Sequence, residues 1–275
     1  MKKKLFCLLL TLLMVCSLMP AASAVQTDAT KAAETLYELG LFRGTGTNSD
    51  GTPIFSLEQT PTRNQAVIML VRLLGKEQEA LNGSWTLPFT DVPKGSTAYP
   101  YIGYAYANGL TNGYTTTTYC GTNPIRANQY ITFVLRAMGY VSGVDFEVGT
   151  AWELSDKLGI THGEYNAANA ANFIRADVTT ISLSALSAPL KGGKIPLADK
   201  LIVENVFTQA QYDRAMGLAD ASSGKQPAQK PSSAPSGGSS VIVPDIDSGS
   251  SVPDDGPSAV LPDYDYGTIL PDDEF

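Results

Sequence analysis

The feature that most constrains the fold is a unit of about 40 to 50 residues that occurs three times. Each copy has a short helical segment that ends at Gly, a polar loop, and a second, apolar helix that opens near an Arg. The copies cover residues 35–75, 89–140 and 150–190. Because one such unit cannot cover its own apolar face, the three must pack around a shared core. The sequence therefore predicts an all-α fold of helix-loop-helix repeats with short extended pieces in the loops.

The first 24 residues have the pattern of a secretory signal peptide. Three lysines follow the initiator Met, an apolar run covers residues 5–19, and Ala22-Ser23-Ala24 forms a small-residue cleavage site. The run is too short to span a bilayer comfortably, so we expect cleavage after Ala24 and no membrane span in the mature chain. A lipid anchor on Cys16 is the alternative, but Val15 stands where that processing requires a small residue.

Loss of this leader makes the chain strongly acidic. It leaves 16 basic residues against 27 acidic residues, a net charge of −11. Such a charge excludes non-specific binding of nucleic acid, which depends on neutralising phosphates. Cys120 remains as the only thiol, so no intramolecular disulfide can form and the fold must rely on packing.

Composition divides the mature chain into a globular part and a tail. Residues 221–275 are rich in Pro, Gly, Ser and Asp and carry nine acidic and two basic residues. Because such a segment cannot bury enough apolar surface to offset its ordering entropy, we expect a disordered acidic tail, available to a protein partner. The globular part divides into three repeats, the last with a closing helix: 25–80, 86–142 and 147–220.

Capping signals place the helix starts. Thr62 and Gln65 have the spacing of a capping box, which puts Arg63 at the first helical position. The same spacing predicts boxes at Thr150 with Glu153 and at Thr208 with Gln211.

The second helix of copy two differs in register from the other two. Arg63 lies twelve residues before Gly75 and Arg175 twelve before Ser187, whereas Arg126 lies thirteen before Gly139. Arg126 therefore takes the place of Thr62, and Ala127 takes the place of Arg63.

These segments resemble the S-layer homology family of bacterial surface proteins. FTDVP followed by YPYIGYAYANGLTNG is similar to the first helix and Gly-rich turn of that family, and TPTRNQAVIMLVRLLG is similar to its T-R-A-E signature helix. The resemblance covers about residues 29–206. It implies a pseudo-threefold, three-pronged bundle at the cell surface. The grooves between the prongs would bind an anionic, typically pyruvylated, secondary cell-wall polysaccharide.

An Arg in the first turn of a helix suits an anionic ligand. Its guanidinium lies near unsatisfied backbone N–H groups and can take a carboxylate through two charge-assisted hydrogen bonds. The family's signature Glu is replaced by Gln65 and by Asp177 in two copies, and Asp91 belongs to the single clear F-x-D-V. The candidate glycan-binding residues are Arg63, Arg175, Arg126, Asp91, Gln65, Asp177 and Trp152.

Each candidate also has a structural alternative. The arginines could be solvated helix-start residues paired with a nearby carboxylate. Asp91 could cap the helix that follows it, and Trp152 could belong to the core.

Residues suited to catalysis or metal binding are sparse. His162 is the only histidine and has no second His or Cys nearby for a zinc site. Glu77 with Glu79 has the character of solvated charge, and residues 44–51 (GTGTNSDG) form a turn-rich connector whose oxygens could bind calcium only weakly. We therefore predict no catalytic site, no metal site and no cofactor.

The sequence favours a non-catalytic protein that anchors on a cell-wall glycan. The alternative is a structural scaffold whose altered signatures bind a protein partner instead. A wall hydrolase would need a His-centred or carboxylate-centred cleft, which the sequence does not suggest.

Overall fold

A computed structural model describes residues 21–166, 172–193 and 195–218 of the chain, with the backbone alone for residues 21–28. This part is mostly helical, as predicted. Its α-helices are α1 (Ala21–Glu38), α2 (Arg63–Leu73), α3 (Glu77–Asn82), α4 (Tyr99–Ala107), α5 (Ala127–Ala137), α6 (Ala151–Lys157), α7 (Arg175–Ser187), α8 (Leu197–Val203) and α9 (Gln209–Ala215). The predicted tail lies outside the described residues, as does the predicted signal peptide except for residues 21–24, which begin α1.

The extended pieces are short. Strands β1 (Gly46–Thr47) and β2 (Pro53–Ile54) pair antiparallel, with Gly46 opposite Ile54. A 3₁₀ turn, Val148–Thr150, leads into α6.

The longer helices pack in a closed order. α2, the second helix of copy one, packs on α4 of copy two, and α5 of copy two packs on α6 of copy three. α7 of copy three packs on α1 of copy one, and α9 then rests on α1 as well. One cluster of buried side chains runs through all three copies, with Leu36, Leu70 and Ile131 almost fully buried. Full burial of a side chain of this size contributes about 1.5–3 kcal/mol.

Two predicted capping boxes are confirmed. The backbone N–H of Gln65 donates to Thr62 Oγ1 at 3.2 Å, and that of Thr62 donates to Gln65 Oε1 at 2.8 Å. Arg63 is thereby the first residue of α2, as predicted. Thr208 and Gln211 cap α9 in the same way.

The third predicted capping box is wrong, and two short helices were not predicted. Thr150 makes no side-chain cap, because it ends a 3₁₀ turn rather than preceding the helix in extended conformation. Residues 89–92 form no strand, and the closing helix ends at Ala215. The short helices α3 and α8 were not predicted, since six or seven residues show too little periodicity.

Candidate functional site at the helix starts

The start of α2 in copy one is bound to the loop of copy two. The backbone N–H of Arg63 donates to the carbonyl of Asn123 at 2.9 Å, and that of Asn64 donates to the carbonyl of Gly121 at 2.8 Å. We call this contact of residues 63–64 with residues 111–123 the first junction. Because these helix-start N–H groups are satisfied by protein carbonyls, they are not donors for an anion, contrary to the expectation from sequence.

The start of α7 in copy three is bound to the loop of copy one in the same pattern. The backbone N–H of Arg175 donates to the carbonyl of Gln59 at 2.8 Å, and that of Ala176 donates to the carbonyl of Leu57 at 2.9 Å. We call this contact of residues 175–176 with residues 42–59 the second junction. Each junction thus joins two copies through the backbone.

The two junctions correspond residue by residue. Cys120 precedes the accepting Gly121 in the first junction, and Ser56 precedes the accepting Leu57 in the second. Both have positive φ, 58° for Cys120 and 48° for Ser56, so each loop turns sharply at this point.

Arg63 is buried in a cage of aromatic rings. Its side chain is only 7% exposed, and its Nη2 donates to the carbonyl of Asn112 at 2.7 Å and lies 3.4 Å from Thr111 Oγ1. The guanidinium carbon lies 5.3, 4.8 and 5.0 Å from the ring centres of Tyr114, Tyr119 and Phe133. Such contacts hold the cation without a counter-charge, each contributing about 0.5–2 kcal/mol.

One hydrogen-bond donor of the Arg63 side chain has no acceptor. Its Nε is buried and has no hydrogen-bond partner, and none of the carboxylates in the described part of the chain pairs with it. The interpretation of Arg63 as a solvated, surface-paired residue is therefore wrong.

Arg175 is buried to the same extent, 6% exposed, but its donors are engaged. Nε donates to the carbonyl of Phe55 at 2.9 Å, Nη2 to the carbonyl of Arg43 at 3.3 Å, and Nη1 to the sulfur of Met69 at 3.7 Å. The ring of Phe42 lies 5.1 Å from its guanidinium carbon. The solvated interpretation is wrong for Arg175 as well, since its fork ties copy three to copy one.

The third helix start has no Arg in the first position. Ala127, which is 1% exposed, is the first residue of α5, and Arg126 is its exposed N-cap. The register predicted by counting back from Gly139 is confirmed.

At each helix start, the side chain of the residue three positions after the N-cap forms a hydrogen bond with the backbone of the N-cap residue. Gln65, Gln129 and Asp177 each accept a hydrogen bond from the backbone N–H of their N-cap residue, at 2.8, 3.0 and 2.8 Å. Gln129 Nε2 also donates to Tyr114 Oη at 2.6 Å, and Tyr165 Oη donates to Asp177 Oδ1 at 2.9 Å. Burial raises the pKa of Asp177, although the hydrogen bond from Ile174 opposes the shift. Gln65 and Asp177 thus have a structural role, whatever they contribute to a ligand.

Asp91 holds the loop of the first junction. Its Oδ1 accepts from the backbone N–H of Tyr119 at 2.8 Å, and its Oδ2 from that of Cys120 at 2.7 Å. Asp91 does not cap α4, whose N-cap Ala98 has no side-chain hydrogen bond, so that interpretation is wrong. Burial raises the pKa of the Cys120 thiol, the charge of Asp91 adds to the effect, and Arg63 opposes it.

The prediction that Glu77 is solvated is wrong. Its carboxylate is the centre of an ion-pair network beside the second junction. It pairs with Arg43 and with Arg72 Nε, the latter at 2.9 Å, and accepts from Tyr101 Oη at 2.7 Å. Burial opposes its ionisation, but Tyr101 and the two arginines outweigh burial and lower the pKa of Glu77. Burial and Glu77 raise the pKa of Tyr101 to about 12.

The remaining candidate, Trp152, lies in the first turn of α6, half-buried against the core. The aromatic residues around Arg63 were not predicted from the sequence. Tyr114 follows Gly113 in the turn after α4, and this position could have indicated a role in the site. For Tyr119 and Phe133 the sequence offers no indication beyond their hydrophobicity.

Within residues 21–166, 172–193 and 195–218, no helix has the length and apolar character needed to cross a membrane. The same residues contain no cluster of three or more His, Cys, Asp or Glu side chains that could hold a metal ion.

Comparison with known proteins matches part of the chain to one family. Residues 88–132 match the S-layer homology domain. A cell surface protein of Thermoanaerobacter kivui is 32% identical over 223 residues, which cover 76% of this chain and 28% of that protein. A middle cell wall protein of Brevibacillus brevis is 25% identical over 123 residues, 45% of this chain and 11% of that protein. The chain thus spans less than a third of the length of these relatives, and neither name describes an enzyme.

Proposed function

Since this chain is a bacterial cell-surface protein that carries an S-layer homology domain, we propose that its globular part anchors it without catalysis to the cell wall. The ligand is an anionic, pyruvylated secondary cell-wall polysaccharide, bound in a groove between copies where a helix-start Arg meets its carboxylate. The three copies form a pseudo-threefold bundle. The acidic tail predicted from composition projects from it toward a protein partner.

The observation that carries this proposal is the buried cation at the first junction. Arg63 has no carboxylate partner among the described residues and keeps an unused donor at Nε. A buried charge without a counter-charge is costly, so an anionic ligand that supplies one gains affinity. A ketal carboxylate on a sugar has the charge and planar geometry to accept from a guanidinium.

The closed packing order supports the bundle. Each second helix packs on the first helix of the next copy, and the two junctions repeat one pattern of backbone hydrogen bonds.

The test is co-sedimentation of the mature protein with purified cell-wall sacculi, before and after hydrofluoric acid extraction of the secondary polymer. We expect sedimentation with intact sacculi and its loss after extraction. Sedimentation that survives extraction would assign the ligand to peptidoglycan, and absence of sedimentation would reject wall binding.

A structural scaffold is the second candidate, because Ala127 replaces Arg at the third helix start and the fork of Arg175 is occupied by protein groups. On that proposal the arginines only join the copies. Failure to sediment, together with capture of the protein by an isolated surface layer free of polymer, would favour the scaffold.

A further inference from the structure

We propose that Asn112 is a self-modification site, where the side-chain amide is lost through attack by the backbone nitrogen of Gly113, with Arg63 stabilising the attacking anion. Water is the only co-reactant. The site lies in the first junction, so the product changes the contact between copies one and two. The modification does not depend on any wall ligand.

The sequence contains three Asn-Gly pairs, at residues 82–83, 108–109 and 112–113. In such a pair the backbone nitrogen of Gly can attack the side-chain carbonyl carbon of Asn, because Gly has no Cβ to obstruct the close approach. All three Asn residues are exposed. The sequence therefore makes the three pairs equivalent, and only the structure distinguishes them.

Two of the pairs are held in helix ends. The N–H of Gly83 donates to the carbonyl of Glu79 at 3.0 Å, at the end of α3. The N–H of Gly109 donates to the carbonyl of Tyr106 at 3.0 Å, at the end of α4, and Asn108 Nδ2 donates to another carbonyl of α4 at 2.8 Å. Because a nitrogen engaged in such a bond must give it up before it can attack, these two pairs should react slowly.

The third pair is open to reaction. Asn112 and Gly113 lie in the loop after α4, outside any helix or strand. In the part of the chain that the structure describes, neither the N–H of Gly113 nor the side-chain amide of Asn112 takes part in a hydrogen bond. The attacking nitrogen and the attacked carbon can therefore approach each other without breaking a bond to the protein.

Arg63 supplies a charge that favours the attack. The nucleophile is the peptide group after loss of the Gly113 proton, and resonance shares its negative charge with the carbonyl oxygen of Asn112. That oxygen accepts from Arg63 Nη2 at 2.7 Å, and the Arg63 side chain is buried. A cationic donor fixed at the atom where charge develops, in a site shielded from water, stabilises the anion without reorganisation.

The reaction has two steps. In the first, the Gly113 nitrogen bonds to Asn112 Cγ and the Cγ–Nδ2 bond breaks. The proton lost from the Gly113 nitrogen is delivered through water to the leaving group, which departs as ammonia and leaves a cyclic imide. In the second, water adds to one imide carbonyl and its C–N bond breaks. Addition at the former side-chain carbon gives aspartate, and addition at the former backbone carbon gives isoaspartate.

The isoaspartate product alters the first junction in two ways. The carbonyl that accepts from Arg63 becomes part of a free carboxylate, and the main chain gains a methylene before Gly113. This point is tightly packed, since a Cβ on Gly113 would lie 2.3 Å from the carbonyl oxygen of Thr115 and 2.5 Å from Phe89 Cε1. A buried ion pair gains little net free energy, whereas a longer chain must displace its neighbours, so the junction should be weakened.

Peptide mass mapping of the mature protein after incubation in mildly alkaline buffer measures all three pairs in one sample, because each conversion replaces NH₂ by OH. In the folded protein we expect Asn112 to convert about tenfold or more faster than Asn82 and Asn108. In urea the three rates should agree within about threefold, since the structural differences are gone. Equal rates in the folded protein, or a faster rate at Asn82 or Asn108, would overturn the proposal.

Arg63→Gln tests the role of the cation. It should slow conversion of Asn112 by about tenfold, and Arg63→Lys should recover part of the rate. Arg214→Gln, on the exposed face of α9, is the matched control and should leave the rate unchanged. Slow conversion of Asn82 and Asn108 in the same samples, with circular dichroism, shows that the variants are folded. An unchanged or faster rate at Asn112 in folded Arg63→Gln would overturn the role of Arg63.

Asn112→Gln tests the consequence for the junction. Its longer side chain disfavours ring closure, while its backbone carbonyl remains available to Arg63. After incubation, wild type should unfold at a lower urea concentration, in proportion to the fraction converted, whereas Asn112→Gln should unfold as it did when fresh. Converted wild type that unfolds at the same urea concentration as fresh protein would overturn the weakening of the first junction.

Discussion

Asp91 Oδ2 accepts a hydrogen bond from the backbone N–H of Cys120 at 2.7 Å, across 29 residues of sequence. The other oxygen of the same carboxylate binds the N–H of Tyr119, whose ring lies under Arg63. One exposed carboxylate therefore sets the conformation of the loop that builds the first junction.

Asp91→Asn should destabilise the protein by about 1–2 kcal/mol, because an amide has one acceptor and cannot replace two charge-assisted hydrogen bonds. The Cys120 thiol should also react faster with iodoacetamide, since the charge that raises its pKa is lost. Urea unfolding and alkylation rates measure the two effects. Asp50→Asn, which removes a carboxylate from the Asp50–Thr52 turn, is the control and should leave the alkylation rate unchanged.

Glu77→Gln should destabilise the protein by about 2 kcal/mol at pH 7, because it leaves Arg72 and Arg43 without their shared carboxylate. The folded-state pKa of Glu77 is lowered from 4.5, so its contribution is fully present above that pH and is lost as the pH falls through the folded-state value. The difference between wild type and variant should therefore shrink below about pH 4.5. Urea titrations from pH 7 to pH 3 give this difference. Glu79→Gln, at a carboxylate that is 58% exposed, should change little at any pH.

Asp177 should show the opposite dependence on pH. Its folded-state pKa is raised above 3.8 by burial, so the folded state binds the proton more tightly, and the contribution of Asp177 to stability grows as the pH falls toward 3.8. The free energy of unfolding of wild type relative to Asp177→Asn should accordingly increase between pH 7 and pH 4. A difference that is constant over this range would contradict the prediction. Asp199→Asn, at an exposed residue in the first turn of α8, supplies the baseline.

Gly121→Ala should destabilise the first junction by about 1–3 kcal/mol, because its Cβ would lie 2.0 Å from Asn64 Oδ1. Gly95→Ala, where nothing lies within 4 Å, should be nearly neutral. Asn64 Oδ1 is buried without a partner, so Asn64→Ala removes the obstruction at little cost. The double variant Asn64→Ala with Gly121→Ala should then be more stable than Gly121→Ala alone in urea unfolding, and additive losses would argue against the clash.

Local features of this protein were predictable, and contacts between copies were not. The cap of Thr62 by Gln65 follows from four adjacent residues, and the place of Ala127 follows from counting back along one helix. The burial of Arg63 was not predictable, because arginine is usually exposed and the rings that hold it come from Tyr114, Tyr119 and Phe133 in another copy.

The same distinction explains the error at Glu77. Adjacent acidic residues on a short segment are usually solvated, but Arg43 and Tyr101 approach Glu77 from 34 and 24 residues away. Tyr101 belongs to copy two and Arg43 to a distant part of copy one, so only the tertiary structure reveals these partners.

The contact between α9 and α1 should be the first to break when the chain is pulled from its C-terminal side. The described chain ends just after α9, none of whose seven residues is buried, and its contact with α1 includes a 3.4 Å approach of Thr35 Oγ1 to the carbonyl of Ala215. Tension applied through residue 218 would reach this contact before either junction. α9 would then separate from α1 at low force, so a force–extension trace should begin with one small step before either junction opens.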